Sequence, residues 1–70
     1  MEPYKERMVD EYKNLRDKID KLNKWIEEEE YVVEGSVSDY HYRLMMIQYH
    51  AMCSYEGALR FRLIDLGIEV

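Results

Sequence analysis

Cysteine and proline are scarce in these 70 residues, with one of each. A lone thiol at Cys53 excludes a disulfide framework within one chain. Long apolar runs are missing as well. The longest is Leu44-Met45-Met46-Ile47, far short of the ~20 residues that span a bilayer. Cationic side chains are in deficit, Lys+Arg 10 against Asp+Glu 15, for a net charge of −5. That balance argues against a general DNA or RNA binder, which needs a basic surface to neutralise phosphates. A local basic pocket formed between subunits would not register in the total. Neither GxGxxG nor GxxxxGK[ST] occurs, so the common backbone cradles for phosphate are absent. The segment from Met1 to Tyr12 carries charge at Glu2, Lys5, Glu6, Arg7, Asp10 and Glu11, where a signal peptide would be apolar. The expectation is a single soluble, cytoplasmic domain.

The chain divides by composition. Residues 1–34 hold 11 acidic against 7 basic side chains, whereas residues 35–70 hold 4 against 3 and more of the apolar ones. In the first half Met8, Tyr12, Leu15, Ile19, Leu22 and Ile26 recur at alternating steps of four and three, which places them on one stripe of an α-helix in the manner of a coiled-coil seam. Pro3 suits the first helical turn, where its missing N–H has no partner to lose, and Glu2 and Glu6 complement the positive end of the helix dipole. At the other end Glu27 to Glu30 repel one another and oppose the dipole. A first helix over about 3–30 is therefore predicted to fray near Glu30.

Residues 31–36, Tyr-Val-Val-Glu-Gly-Ser, read as a connection, with Gly35 able to take a positive φ. Ser36 and Asp39 fit a capping box, and Ser38 competes as the N-cap. A second helix is expected over about 37–66. Gly67 would then stand just past its end and Ile68 would fold back toward Leu63 in a Schellman ending. The fold class is all-α, an antiparallel two-helix hairpin.

Helix 2 is apolar on more than one side. Leu44, Ile47, Ala51, Tyr55, Leu59 and Leu63 could form one face, while Met45, Met46, Tyr49, Met52, Cys53 and Leu66 spread beyond it. One partner helix cannot cover both, and a two-helix hairpin of this size buries little surface to offset the ordering of its backbone. Assembly into a homo-oligomeric helical bundle is expected. Cys53, Ser54, Gly57 and Ala58 group four small residues within a turn and a half. Gly57 either admits the close approach of another helix or is simply tolerated, at up to ~1 kcal/mol relative to alanine.

Catalytic and metal chemistry find little support. His41 and His50 are nine residues apart, about 180° out of phase on a helix, so they cannot chelate one ion within a chain. Cys53 and His50 could touch, yet no oxyanion donor or glycine-rich elbow accompanies them. The Glu27–Glu30 run points in four directions and reads as a solvated face. No enzyme activity, metal or cofactor is expected. The seven tyrosines and Trp25 are more informative, because tyrosine can stack on a base and still pack in an interface. Tyr4 sits beside Lys5 and one turn from Arg7, and an antiparallel hairpin returns Arg60 and Arg62 toward the same end. Tyr4, Lys5, Arg7, Arg60 and Arg62 are the candidate ligand-binding residues, guanidinium groups for phosphate and tyrosine for a base. The alternative is that these cations pair with surplus carboxylates on exposed helix faces.

The pattern Pro3-Tyr4-x-x-Arg7-Met8-Val9-x-Glu11, followed by Leu15-x-x-Lys18-Ile19-x-Lys21-Leu22-x-x-Trp25-Ile26-Glu27, resembles a family of small phage and prophage proteins described as related to a crAss-like phage protein. Leu44-x-x-x-Gln48-x-x-Ala51-Met52-x-x-Tyr55-x-x-x-Leu59-x-x-Arg62-Leu63 is similar to that family's second helix. The hairpin is also similar to that of phage sponge proteins that counter CBASS and Thoeris immunity. This resemblance implies hairpins assembled into a dihedral hexamer that sequesters cyclic oligonucleotides or cyclic ADP-ribose between subunits, without cleaving them. It further implies that Tyr4 and its neighbouring cations hold a nucleotide and that Arg62 lines a second phosphate site on a symmetry axis. Two other readings stand beside it. The acidic chain could inhibit a nucleic-acid-binding protein, as an anti-CRISPR does, by presenting Glu27–Glu30 and Glu34, or it could be a structural coiled-coil module.

Overall fold

A computed structural model describes residues 2–31 and 38–70. It contains two α-helices, α1 (Pro3–Tyr31) and α2 (Asp39–Asp65), and no strand among the described residues. The connection expected over 31–36, and with it Ser36 and Gly35, lies outside the described residues apart from Tyr31.

The helix ends follow from side-chain chemistry. At the start of α1 the Glu2 carbonyl accepts from the Lys5 and Glu6 amides at 3.0 and 3.1 Å, while Pro3 occupies the first helical position and loses nothing by lacking an N–H. Helix α2 begins two residues later than the sequence suggests. Ser38, extended at φ −70° and ψ 156°, is its N-cap, and the Ser38 hydroxyl accepts from the His41 amide at 3.1 Å. This satisfies one of the amides that has no carbonyl partner in a first turn. At the other end the Schellman pattern is complete: Gly67 N–H donates to Ile64 O and Ile68 N–H to Leu63 O, both at 2.9 Å. Gly67 has φ 76°, a conformation that a Cβ would strain.

The helices run antiparallel, because Tyr12 near the start of α1 bonds Glu56 late in α2, while Trp25 near the end of α1 packs on His41 and Tyr42 at the start of α2. The α1 stripe faces inward: Leu15, Ile19, Leu22 and Ile26 are buried, and Met8 and Tyr12 are half-buried. Leu15, Ile19 and Leu59 form the centre of the core, flanked by Tyr49, Met52 and Cys53. The long dimension of the hairpin is 49 Å, close to that of helices of this length at 1.5 Å per residue.

The face of α2 turned toward α1 differs from the row running from Leu44 to Leu63. Only Leu59 and Leu63 of that row are buried, whereas Leu44, Ile47 and Tyr55 are exposed. The reason is geometric. Steps of four advance the row by about 40° each, so its two ends lie about 100° apart around a straight helix. The residues facing α1 are instead Tyr42, Tyr49, Met52, Cys53, Glu56, Leu59 and Leu63, all buried or half-buried. Among the described residues no helix is long and apolar enough to cross a membrane.

Candidate functional site

Arg7, Glu11, Asn14 and Lys18 recur along one flank of α1 at the spacing of successive turns. With Asp10 and Leu15, also of α1, and Tyr55 of α2 they line an open groove of 410 Å³. Tyr55 is 45% exposed, so a ring edge is available beside two cations. Among the described residues neither Arg7 nor Lys18 closes an ion pair; the pairs formed are Arg16–Asp20, Lys21–Asp17 and Arg60–Glu56. The groove therefore offers guanidinium and ammonium donors to an anion and a phenol ring to a planar group. Asp10 and Glu11 would accept from hydroxyl or amino groups of the same ligand.

A second groove of 570 Å³ lies at the end of α2, lined by Arg60, Ile64 and the C-terminal residues Gly67 to Val70. Here the Arg60 guanidinium is already engaged, with Nε 3.9 Å from Glu56 Oε1 and Cζ 5.3 Å from the centre of the Phe61 ring. Glu56 in turn accepts from the Tyr12 hydroxyl at 2.9 Å. Burial, and then this bond to a carboxylate, hold the Tyr12 phenol above its ordinary pKa of 10.0.

The remaining candidates stand apart from both grooves. Tyr4, 46% exposed, lies on the first turn of α1 with Lys5 Nζ 6.0 Å from its ring centre. Arg62 is exposed in the last turn of α2. Residues two apart on a helix differ by about 200°, so Lys5 and Arg7 point to opposite flanks, as do Arg60 and Arg62. One protomer thus keeps Tyr4 with Lys5, gives Arg7 and Arg60 a groove each, and turns Arg62 onto the side of α2 away from α1. Tyr55 is the groove residue that sequence spacing does not reveal, because its meeting with Arg7 and Lys18 depends on the register between the two helices. Lys18 was legible: it stands eleven residues after Arg7, three turns on, along the same flank. His41 and His50 are occupied by aromatic packing, edge-on to Trp25 at 6.2 Å and to Tyr49 at 5.6 Å.

A family model described as Sequestin matches residues 2–65. The chain belongs to the Sequestin family. The matched span contains both helices and every groove residue named above from Arg7 to Ile64, and it stops before the Schellman turn. The family's name suggests a sequestering function. No curated protein and no solved structure matches the chain.

Proposed function

We propose that this protein is a phage antidefence sponge that sequesters cyclic nucleotide immune signals, cyclic oligonucleotides or cyclic ADP-ribose, in the cytoplasm of an infected bacterium. The Sequestin match over both helices carries this reading. Sequestration breaks no covalent bond and calls for no nucleophile or metal. Affinity comes from stacking and charge-assisted hydrogen bonds in a preorganised pocket. The ligand-facing residues are Tyr4, Lys5, Arg7, Arg60 and Arg62.

The placement of those five residues supports a site shared between copies. Within a protomer Arg7 and Arg62 lie on different helices and face different sides, and each single groove is open to solvent. A ligand that carries two phosphates in a ring can engage both arginines when hairpins associate, here in a homo-oligomer such as a hexamer. The sites are then at subunit interfaces.

Calorimetric titration against cyclic dinucleotides, cyclic trinucleotides and cyclic ADP-ribose isomers tests the proposal. The expected result is sub-micromolar binding of at least one of them, with intact ligand recovered after heat denaturation of the complex. Recovery of a cleaved product would make the protein an enzyme. Absence of heat with every ligand, from folded protein, would overturn the reading.

A further inference from the structure

The side of α2 turned away from α1 carries a second seam. Tyr40, Leu44, Ile47, Ala51, Ser54 and Ala58 follow one another at steps of four and three, and Phe61 and Asp65 continue the series. This is the heptad rhythm of a helix that packs on another helix. It is offset by nine residues from the positions that face α1, Ala51 from Tyr42 and Ala58 from Tyr49, and nine residues correspond to about 180°. All eight positions are exposed, with Tyr40 at 73%, Ile47 at 65% and Phe61 at 64%. Asp65 is the sole charged member of the series, and Arg43 and Arg62, about five turns from Phe61 and Leu44 respectively, share its side of the helix. The outer side of α1 offers nothing comparable, being studded with Asp10, Lys13, Asp17, Lys21 and Lys24.

We propose that this face pairs with the same face of a second copy of the chain, antiparallel, about a two-fold axis passing between Ala51 and Ser54. The pairing rests on the homo-oligomer of the preceding section and specifies one of its interfaces. In that register Ile47 meets Ala58 of the partner subunit, a large residue against a small one, and Leu44 meets the partner's Phe61. Ala51 and the partner's Ser54 let the two backbones approach closely at the axis. Tyr40 reaches the partner's Asp65, so the one carboxylate of the seam receives a phenol donor. A parallel arrangement would set Asp65 against Asp65 of the partner subunit and Ile47 against the partner's Ile47, stacking like charge and bulk on themselves. The face is also extensive. Tyr40, Phe61 and the flanking Tyr55, exposed by 73%, 64% and 45%, present roughly 300–450 Å² if an aromatic side chain is worth about 150–250 Å². With Leu44 and Ile47 added, this amounts to more than half of the ~800 Å² per partner that stable interfaces bury, and it lies at the upper end of the roughly 300–600 Å² spanned by the largest apolar patch of a monomer.

Tyr55 links this interface to ligand binding. It borders the seam and also lines the Arg7 groove. A partner helix laid along the seam therefore stands over the open side of that groove.

Cysteine mapping in a Cys53→Ser background tests the arrangement. The double variant Ile47→Cys/Ala58→Cys should oxidise to a covalent dimer, whereas Ile47→Cys and Ala58→Cys alone should not. Covalent dimers from the single variants would show parallel pairing and overturn the proposal, as would failure of all three to cross-link. Ala51→Glu, with helicity checked by circular dichroism, should at least halve the mass measured by light scattering. Unchanged mass would equally overturn it. Ligand titration separates the two proposals. A locked dimer that binds no cyclic nucleotide leaves the interface standing and removes the sponge, while a binding protein without the lock removes the interface alone.

Discussion

The Tyr12 hydroxyl of α1 donates to Oε1 of Glu56 in α2 at 2.9 Å, across 44 residues of sequence. The Glu56 side chain is only 14% exposed and its oxygen also lies 3.9 Å from Arg60 Nε. A carboxylate held this far from water needs its donor. A slip of one turn between the helices would set it against apolar side chains, so this bond fixes the register that the flanking leucines and isoleucines specify more loosely.

Tyr12→Phe should therefore cost about 1.5 kcal/mol in chemical denaturation, the lower end for a hydrogen bond to a charged acceptor because the pair is partly solvated. It should also alter the alkaline limb of the stability profile. The folded Tyr12 pKa is raised above 10.0 by burial and by Glu56, so its contribution is complete below pH 10 and is lost as pH rises through the folded value, since the unfolded chain ionises first. Melting curves of the variant above pH 10 should lack that part of the decline.

Leu59 and Leu63 have no exposed surface, and Leu59 sits at the centre of the core with Leu15 and Ile19. Leu59→Ala should lose about 2–5 kcal/mol by the removal of buried methyl groups and the cavity left behind. Urea titration followed by helical circular dichroism measures it. A loss below 1 kcal/mol would mean that the core is not close-packed there.

Two glycines of α2 and its end should respond in opposite directions. A Cβ on Gly57 would meet nothing within 4 Å, so Gly57→Ala should raise thermal stability by about 0.5–1 kcal/mol through helix propensity. Gly67 has open space as well but a φ of 76°, and Gly67→Ala should lower stability by about 1 kcal/mol. A destabilised Gly57→Ala protein that also loses mass would instead place another helix against that glycine.

Arg7→Ala and Arg62→Ala, each keeping the oligomer intact, should weaken binding of a cyclic nucleotide by roughly 10- to 100-fold, the loss of one charge-assisted contact of about 1.5–3 kcal/mol. Calorimetry with light scattering on the same samples reads both quantities. Wild-type affinity in both variants would remove these arginines from the site.

Much of the hairpin is legible before any coordinates. The stripe from Met8 to Ile26 keeps a strict heptad rhythm, so its inward face follows from helix geometry alone. Gly67 and Ile68 announce the Schellman ending because few residues other than glycine tolerate φ 76°. Helix α2 is less transparent. Apolar side chains on two opposite sides leave the inward one undecided, and the row from Leu44 to Leu63 divides between them. The capping-box pattern points to Ser36 with Ser38 as its competitor, and the contact of Ser38 with His41 decides for Ser38.

The sequence by itself determined the two helices, the start of α1, the Schellman ending of α2 and that α2 is apolar on more than one side, since each depends on the 3.6-residue period and on local hydrogen bonding. Only the tertiary structure decided which side of α2 meets α1, that Tyr55 joins Arg7 and Lys18 in one groove, and that Arg7 and Arg60 line separate grooves. Those outcomes turn on the register between two helices. That register is set by contacts between residues far apart in the chain, Tyr12 with Glu56 and Trp25 with Tyr42, which no local pattern encodes.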